Sequence, residues 1–300
     1  MDTHEHTTED PGFGERPRVV LDTDTYNEID DQFALAYLAR ATDAARLEAI
    51  YAAPFHNDRS NSPGDGMEKS FLEIQRLLAR LDLERLPHFR GSDRVLADPG
   101  DRIESDAVRD LIERGMSATA SERLTVIAIG AITNVASALL QEPRLADRCN
   151  VIWLGGTYPY WPYNQEFNLN GDVAAAQVVF DSGVPLFVMP TLGVSSHLTT
   201  SREELSAYLD LDDALCEFLY RRFAEYGPGE GVWTKEIWDV AAVAWVVLPS
   251  AVHSFRIPAP RVAEDGSYVH DPRRHLCRFA YGLDRDAIYR DMYRRLAPAT

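Results

Sequence analysis

Short apolar runs and stretches of helical periodicity alternate along this chain. The runs at 19–21, 47–53, 124–129, 151–154 and 185–189 read as strands, and the spacing between them predicts helices over 32–41, 67–78, 107–115, 132–140 and 173–180. That is the rhythm of βα units. It predicts an α/β fold with a single open, mostly parallel sheet, flanking helices, and function on the loops at the strand C-termini. After residue 189 the pattern changes to helices over 202–208 and 213–226, then the punctuation Gly227-Pro228-Gly229-Glu230-Gly231, which reads as a loop able to flex as part of a lid. An apolar helix over 235–247 ends at Pro249, and short β-like pieces at 255–257 and 261–263 precede a terminal helix over 286–296. No internal repeat or low-complexity linker interrupts this order. The expected organisation is a flexible polar tail over 1–16 and one domain over 17–300.

Composition narrows the function classes. Three hundred residues at 45% hydrophobic content suffice for a large core. A net charge of −17 leaves no basic surface to displace the counterions of a nucleic acid, which argues against that partner. Lys69 and Lys235 are the only lysines, which limits chemistry that needs several. Cys149, Cys216 and Cys277 are odd in number and widely spaced, which argues against a disulfide framework and for a reducing, cytoplasmic setting. The first fifteen residues have no apolar core of the kind a signal peptide carries, and His4 and His6 within them read as part of a polar tail. No apolar run approaches the ~20 residues of a membrane span.

The candidate chemistry starts at Val19-Val20-Leu21-Asp22-Thr23-Asp24-Thr25-Tyr26-Asn27-Glu28-Ile29-Asp30-Asp31, a strand, an acidic loop and a helix start. Carboxylates this crowded either share protons or are neutralised by a hard cation that takes oxygen ligands. Asp30 and Asp31 would open the following helix, where its dipole favours negative charge, and simple capping accounts for one of them. Asp22-Thr23-Asp24-Thr25 also fits the DxDxT pattern of haloacid-dehalogenase-type phosphatases, with Asp22 as nucleophile, but that chemistry wants its magnesium-binding acidic pair much later in the chain.

Two further stretches carry chemistry. In Glu166-Phe167-Asn168-Leu169-Asn170-Gly171-Asp172, Asp172 reads as the cap of an alanine-rich helix. Glu166 and Asn168, two apart, would share one side of an extended segment and grip neighbouring sugar hydroxyls. Asp239, in Ile237-Trp238-Asp239-Val240-Ala241-Ala242, lies among apolar residues, where a carboxylate is costly unless paired or bound to a metal.

Taken in order, these stretches resemble the inosine-uridine-preferring nucleoside hydrolase family over roughly 19–249. The resemblance includes Ile129-Gly130-Ala131-Ile132-Thr133-Asn134-Val135-Ala136 and Trp153-Leu154-Gly155-Gly156 as later strand ends. It implies a nucleoside hydrolase with a Rossmann-like fold that splits an N-ribosidic bond, using a calcium ion to orient the ribose and the attacking water. It implies Asp24 as metal ligand and general base, Asp31, Asp239 and the Ile129 carbonyl as further ligands, and Asp30, Asn57, Glu166 and Asn168 on the ribose. A small-molecule nucleoside as partner and a homodimer or homotetramer follow from the same resemblance.

Three departures stand out. The acidic loop is two residues longer than the family's, so Tyr26, Asn27 and Glu28 either project into the pocket or bulge outward. Trp238 stands where the family often has a histidine that protonates the leaving base, and an indole cannot serve as that acid; His56 and His197 are the candidates to replace it. Asn164, in the aromatic run Tyr160-Trp161-Pro162-Tyr163-Asn164-Gln165, is the nearest match to a family asparagine that contacts the substrate, and the run either lines the base pocket or packs as a surface loop. The alternatives to nucleoside hydrolysis are a homologue that binds metal and a ribosylated ligand without cleaving it, and hydrolysis of an unusual glycoside in a specialised pathway.

Overall fold

Val19 and Leu21 are buried in one hydrophobic cluster and Val20 in another, so the first strand is covered on both faces. The computed structural model describes residues 12–119, 121–229 and 231–297. Most of the expected tail, with His4 and His6, and Glu230 of the glycine-rich loop lie outside them. Within the described part of that tail, Phe13 is buried, its ring centroid 4.8 Å from that of Phe187.

Strand β1 (Arg18–Thr23) leads to α1 (Asp30–Arg40), β2 (Arg46–Ala52), α2 (Pro63–Arg80), β3 (His88–Arg90) and α3 (Asp106–Ser117). Then come β4 (Leu124–Ala128), α4 (Thr133–Gln141), β5 (Cys149–Leu154), α5 (Phe167–Gly171), α6 (Val173–Asp181) and β6 (Leu186–Met189). The last third holds β7 (Thr199–Thr200), α7 (Arg202–Tyr208), α8 (Ala214–Tyr226), β8 (Lys235–Glu236), α9 (Val240–Val247), β9 (Val252–Pro258), β10 (Arg261–Val262), β11 (Tyr268–Val269), β12 (Leu276–Leu283) and α10 (Arg285–Leu296).

Eight strands form one sheet in the order β3-β2-β1-β4-β5-β6-β12-β9, parallel throughout except where β9 runs antiparallel to β12. The α/β expectation holds. Residues of α1, α2, α8, α9 and α10 fill the cluster on one face, and residues of α3, α4 and α6 fill the other. Strand order reverses between β1 and β4, and the crevice beyond the carboxyl ends at such a point is where open α/β sheets bind ligands.

Four local expectations need correction. The helix expected over 235–247 begins only at Val240, because Lys235 and Glu236 pair with Thr200 and Thr199 and the Ile237 amide donates to the Leu198 carbonyl at 2.8 Å. Strands β3 and β12 were not foreseen, since His88, Arg90 and Arg278 interrupt their apolar pattern. The piece expected at 255–257 is the longer β9, completed by pairing with β12. Glu166 and Asn168 do not share an extended segment: Glu166 caps α5 and Asn168 lies in its first turn.

The reversal point is tied together by Asn134 of α4. Its Nδ2 donates to Asp22 Oδ1 at 2.7 Å and to the Ala52 carbonyl at 3.2 Å, while its Oδ1 accepts from the amide and hydroxyl of Ser92. A Cβ at Gly91 would sit 2.1 Å from the Ala52 carbonyl oxygen and 2.4 Å from Asn134 Nδ2, so only glycine lets these segments meet. Asn134→Ala would strand the fully buried Asp22 carboxyl and the Ser92 amide. We expect it to cost roughly 2–4 kcal/mol, read as a lower urea midpoint at unchanged slope.

Candidate active site

Two helices place the acidic residues. Helix α1 is buried along nearly its whole length and packs against α9, which is entirely buried, so both are fixed by apolar contact. Asp30 and Asp31 form the first turn of α1, and Asp239 is the residue before α9. Their carboxylates lie where helix dipoles favour negative charge. Neither helix has a side-chain capping hydrogen bond at its N-terminus, so capping does not explain these aspartates. Oxygens of Asp30, Asp31 and Asp239 lie within 4.8 Å of one another, all three residues buried. The Asp239 amide donates to Asp30 Oδ2 at 3.4 Å, and the Thr23 hydroxyl donates to Asp31 Oδ1 at 2.5 Å.

Asp24 follows the end of β1 and closes the group. It is 1% exposed, and both its carboxylate oxygens are buried without a hydrogen-bond partner. It packs over Gly130 just beyond β4, where a Cβ would come 2.9 Å from Asp24 Oδ1.

Electrostatics make this arrangement unstable on its own. Burial pushes Asp24 well above the usual carboxylate range, reinforced by the charges of Asp31 and Asp30. Asp239 is raised in the same way, by burial and then by Asp30, Asp31 and Asp24. Asp30 is raised by burial and by Glu28, against the opposing charge of Lys235, and burial carries Asp31 to about 7. Four buried carboxyls resist ionising together, and both Asp24 oxygens are without a hydrogen-bond partner. A divalent cation fits this donor set, since it would neutralise the repulsion and supply Asp24 with a partner.

A cavity of about 260 Å³ opens over the group. Asp24, Asp30, Asp31, Asp239 and Ile129 line it, as do Asn57, Glu166, Asn168 and Trp238. Of the residues singled out in the sequence, Asn164 is not in the lining. Its Oδ1 accepts from the Thr157 amide and hydroxyl, and its Nδ2 donates to the Gly266 carbonyl, so it braces two loops. Glu166 is buried with its carboxylate turned onto the amides of Gly156, Asn168 and Leu169; burial raises it to about 7 and those amides oppose the rise. Asn168 Nδ2 donates to the carbonyls of Ile129 at 3.2 Å and Leu154 at 3.0 Å, and Asn57 Nδ2 donates to Asn27 Oδ1 at 2.7 Å.

Other placements bear on the open alternatives. Of the longer acidic loop, Asn27 and Glu28 line the cavity, while Tyr26 does not and has Arg59 over its ring. Asp22 is fully buried against Asn134 and outside the lining, so the phosphatase reading loses its nucleophile. His56 and His197 are exposed and also outside it. Tyr160, Trp161 and Tyr163 are exposed surface residues, and the aromatic side chains in the lining are Phe167 and Trp238. Asp172 caps α6 by accepting from the Ala175 amide.

Sequence reading passed over Lys235. Its Nζ lies 2.5 Å from Glu28 Oε2 and 3.7 Å from the centroid of the Trp238 ring, which locks the inserted loop to the segment before α9. Burial alone would lower its pKa, but Asp30 and Glu28 raise it. Its being one of two lysines in the chain was the available signal.

Comparison with known proteins agrees with this geometry. The profile of the family described as inosine-uridine preferring nucleoside hydrolase matches residues 19–290. Non-specific ribonucleoside hydrolase RihC of Salmonella agona (strain SL483) is 32% identical over 148 residues, 48% of this chain and 45% of that protein. The Shigella flexneri protein of the same name is 32% identical over 146 residues, 48% of this chain and 46% of its own. The chain thus spans about half the length of the curated relatives it matches. Among solved structures, the plant nucleoside hydrolase PpNRh1 superposes with a TM-score of 0.74 at 21% identity, covering 94% of this chain and 99% of that one. A purine-preferring ribonucleoside hydrolase from Gardnerella vaginalis gives 0.73 at 20% identity, covering 93% and 98%. At such identities these two likenesses establish the fold.

Proposed function

The chain belongs to the inosine-uridine preferring nucleoside hydrolase family, and from that premise we propose that it hydrolyses the N-glycosidic bond of a ribonucleoside to free base and ribose. The observation that carries the proposal is the pair of orphaned Asp24 oxygens beside the buried trio of Asp30, Asp31 and Asp239 in a cavity at the strand-order reversal. In this reading Asp24, Asp31, Asp239 and the Ile129 carbonyl hold a calcium ion, a hard cation that accepts about six to eight oxygens in flexible geometry. When bound, the ion would acidify and orient a water molecule.

The chain's own groups do the rest. Asp24 takes the proton from the attacking water, since no other donor occupies its oxygens. Asp30, beside the ligands, accepts from a ribose hydroxyl. Glu166 Oε1 accepts one hydrogen bond, from the Asn168 amide, and keeps capacity to accept from a second hydroxyl. Asn168, its amide nitrogen engaged, would meet the sugar through Oδ1. The surrounding carboxylates stabilise the positive charge that develops on the ribose as the base departs.

The test is a panel of ribonucleosides incubated with the protein and calcium, following free base and reducing sugar. Release from at least one is expected, and no turnover of any would overturn the proposal. A second reading, riboside binding without cleavage, is favoured by one observation: among the described residues, the ionisable side chains lining the cavity are all carboxyls. Calorimetric binding of a riboside with no product would select it. We extend the proposal to a cytoplasmic homodimer or homotetramer, the assembly being readable by sedimentation.

A further inference from the structure

One buried ammonium joins two parts of the cavity wall from behind. The Lys235 side chain is 10% exposed and lies outside the lining, yet two residues that it touches are in it. Glu28 Oε2 is 2.5 Å from the Lys235 Nζ, and the centroid of the Trp238 ring is 3.7 Å away. Tyr226, the last residue of α8, meets the same group, with its ring centroid 5.3 Å from the Nζ. The backbone that carries Lys235 is fixed. Lys235 pairs with Thr200 across β7 and β8, the Ile237 amide donates to the Leu198 carbonyl, and Trp233 stacks on Phe223 of α8 with ring centroids 4.8 Å apart. The ammonium therefore acts from a set position.

The acidic loop is braced from its own side. The Asn27 amide donates to the Asp24 carbonyl at 2.6 Å, Asn27 Oδ1 accepts from Asn57 Nδ2 at 2.7 Å, and Ile29 is 1% exposed. These contacts hold the backbone on both sides of Glu28 and leave its side chain, with several rotatable bonds, to be placed by what it meets. Glu28 shares the wall with Asp24, Asp30 and Asp31, which offer it no attraction, so Lys235 is the group that draws it aside. A carboxylate deprived of that cation turns toward open, polar space, and the nearest such space is the cavity it lines. The Trp238 ring would lose the cation against its face at the same time.

We propose that Lys235 is a positioning residue for substrate recognition: through its contacts with Glu28 and Trp238 it shapes the part of the wall that receives the heterocycle of a riboside. This rests on the proposed hydrolysis of ribonucleosides and deepens it. In that reading the ribose takes Asp30, Glu166 and Asn168, and Trp238 presents a flat aromatic surface in the wall that remains. Lys235 touches neither the sugar nor the bond that breaks, so its loss falls on the KM of the nucleoside and spares kcat.

The test is a double-mutant cycle of Glu28→Gln, Lys235→Met and the two together, measured with calcium on a ribonucleoside that the wild-type protein hydrolyses. Each single variant should raise KM about 10-fold or more with kcat within about threefold of wild type, and the double variant should raise it no further than the worse single, because the pair acts as a unit. Ribose as a competitive inhibitor should keep its Ki within about threefold in all of them, since the sugar contacts are elsewhere. An unchanged KM in a folded single variant, a loss confined to kcat, effects that multiply in the double variant, or a ribose Ki that rises in step with KM overturns the inference and leaves the hydrolase reading standing. If Lys235→Met does not fold, Glu28→Gln decides alone by the same KM, kcat and Ki criteria. If the wild-type protein hydrolyses no ribonucleoside, the hydrolase reading falls and the cycle is read in calorimetric Kd values for inosine and ribose, where the same pattern supports the positioning role and the absence of binding overturns both.

Discussion

Asp24→Asn is expected to lower kcat by at least ~10³-fold while leaving the metal-free protein as stable as wild type or more so. The two effects share one origin. Asparagine keeps the shape of the side chain, so the packing over Gly130 is preserved, but it can neither take a proton from water nor offer a charged oxygen to a cation. Loss of rate therefore reports the chemistry. The stability effect comes from the site's electrostatic cost: burial and the charges of Asp31 and Asp30 raise Asp24 well above its unfolded value. Between the two values the folded state binds more protons than the unfolded one, so this group's contribution falls as pH rises through that window. Removing the carboxyl removes that penalty at neutral pH. Melting curves of chelated wild type and variant, beside their kcat values, decide the matter. A variant within tenfold of wild-type kcat would strip Asp24 of its role as base, and a variant that melts far lower in chelator would show that its carboxylate stabilises the fold.

The sequence exposed the strands of the sheet's centre and the residues that gather at their ends, for a definite physical reason. Strands buried on both faces must be continuously apolar, so β1, β4 and β5 stood out, and aspartates at their ends or before a buried helix are too costly to be incidental. Asp24, Asp30, Asp31 and Asp239 were legible one at a time because each breaks an apolar pattern. What was hidden depends on long-range pairing. Strand β12 carries Arg278 within its buried run and is defined by neighbours β6 and β9, far away in the chain. Residues Lys235 and Glu236 look helical alone and become a strand only against Thr199 and Thr200. The ion pair of Glu28 with Lys235 joins residues 207 apart. The orientation of Glu166 was lost likewise: its spacing from Asn168 suits an extended segment as well as a capped turn, and the amide of Gly156 helps decide between them.

Chelation is expected to abolish turnover and to lower the melting temperature, and calcium is expected to restore both. A ligand that binds only the folded state stabilises it by RT ln(1 + [L]/Kd), about 2.7 kcal/mol at a hundredfold excess over Kd. For a chain of 300 residues, the usual unfolding entropy converts this to a rise of roughly 4 °C. Magnesium at the same concentration should do less, because it demands a tight octahedron and keeps its waters, whereas buried carboxylates fixed by two helix N-termini suit a larger ion of flexible coordination. Asp239→Asn removes one donor and should shift the calcium titration to much higher concentration, while its chelated form melts no lower than wild type because a repelling charge has gone. The two aspartates that lie two apart in the first strand–loop segment provide an internal control. Asp22 is raised to about 7 by burial but is turned to Asn134 outside the cavity, so Asp22→Asn should leave the calcium shift intact. A melting temperature unmoved by millimolar calcium, with turnover indifferent to chelator, would remove the ion from the mechanism and leave four buried carboxyls sharing protons in its place.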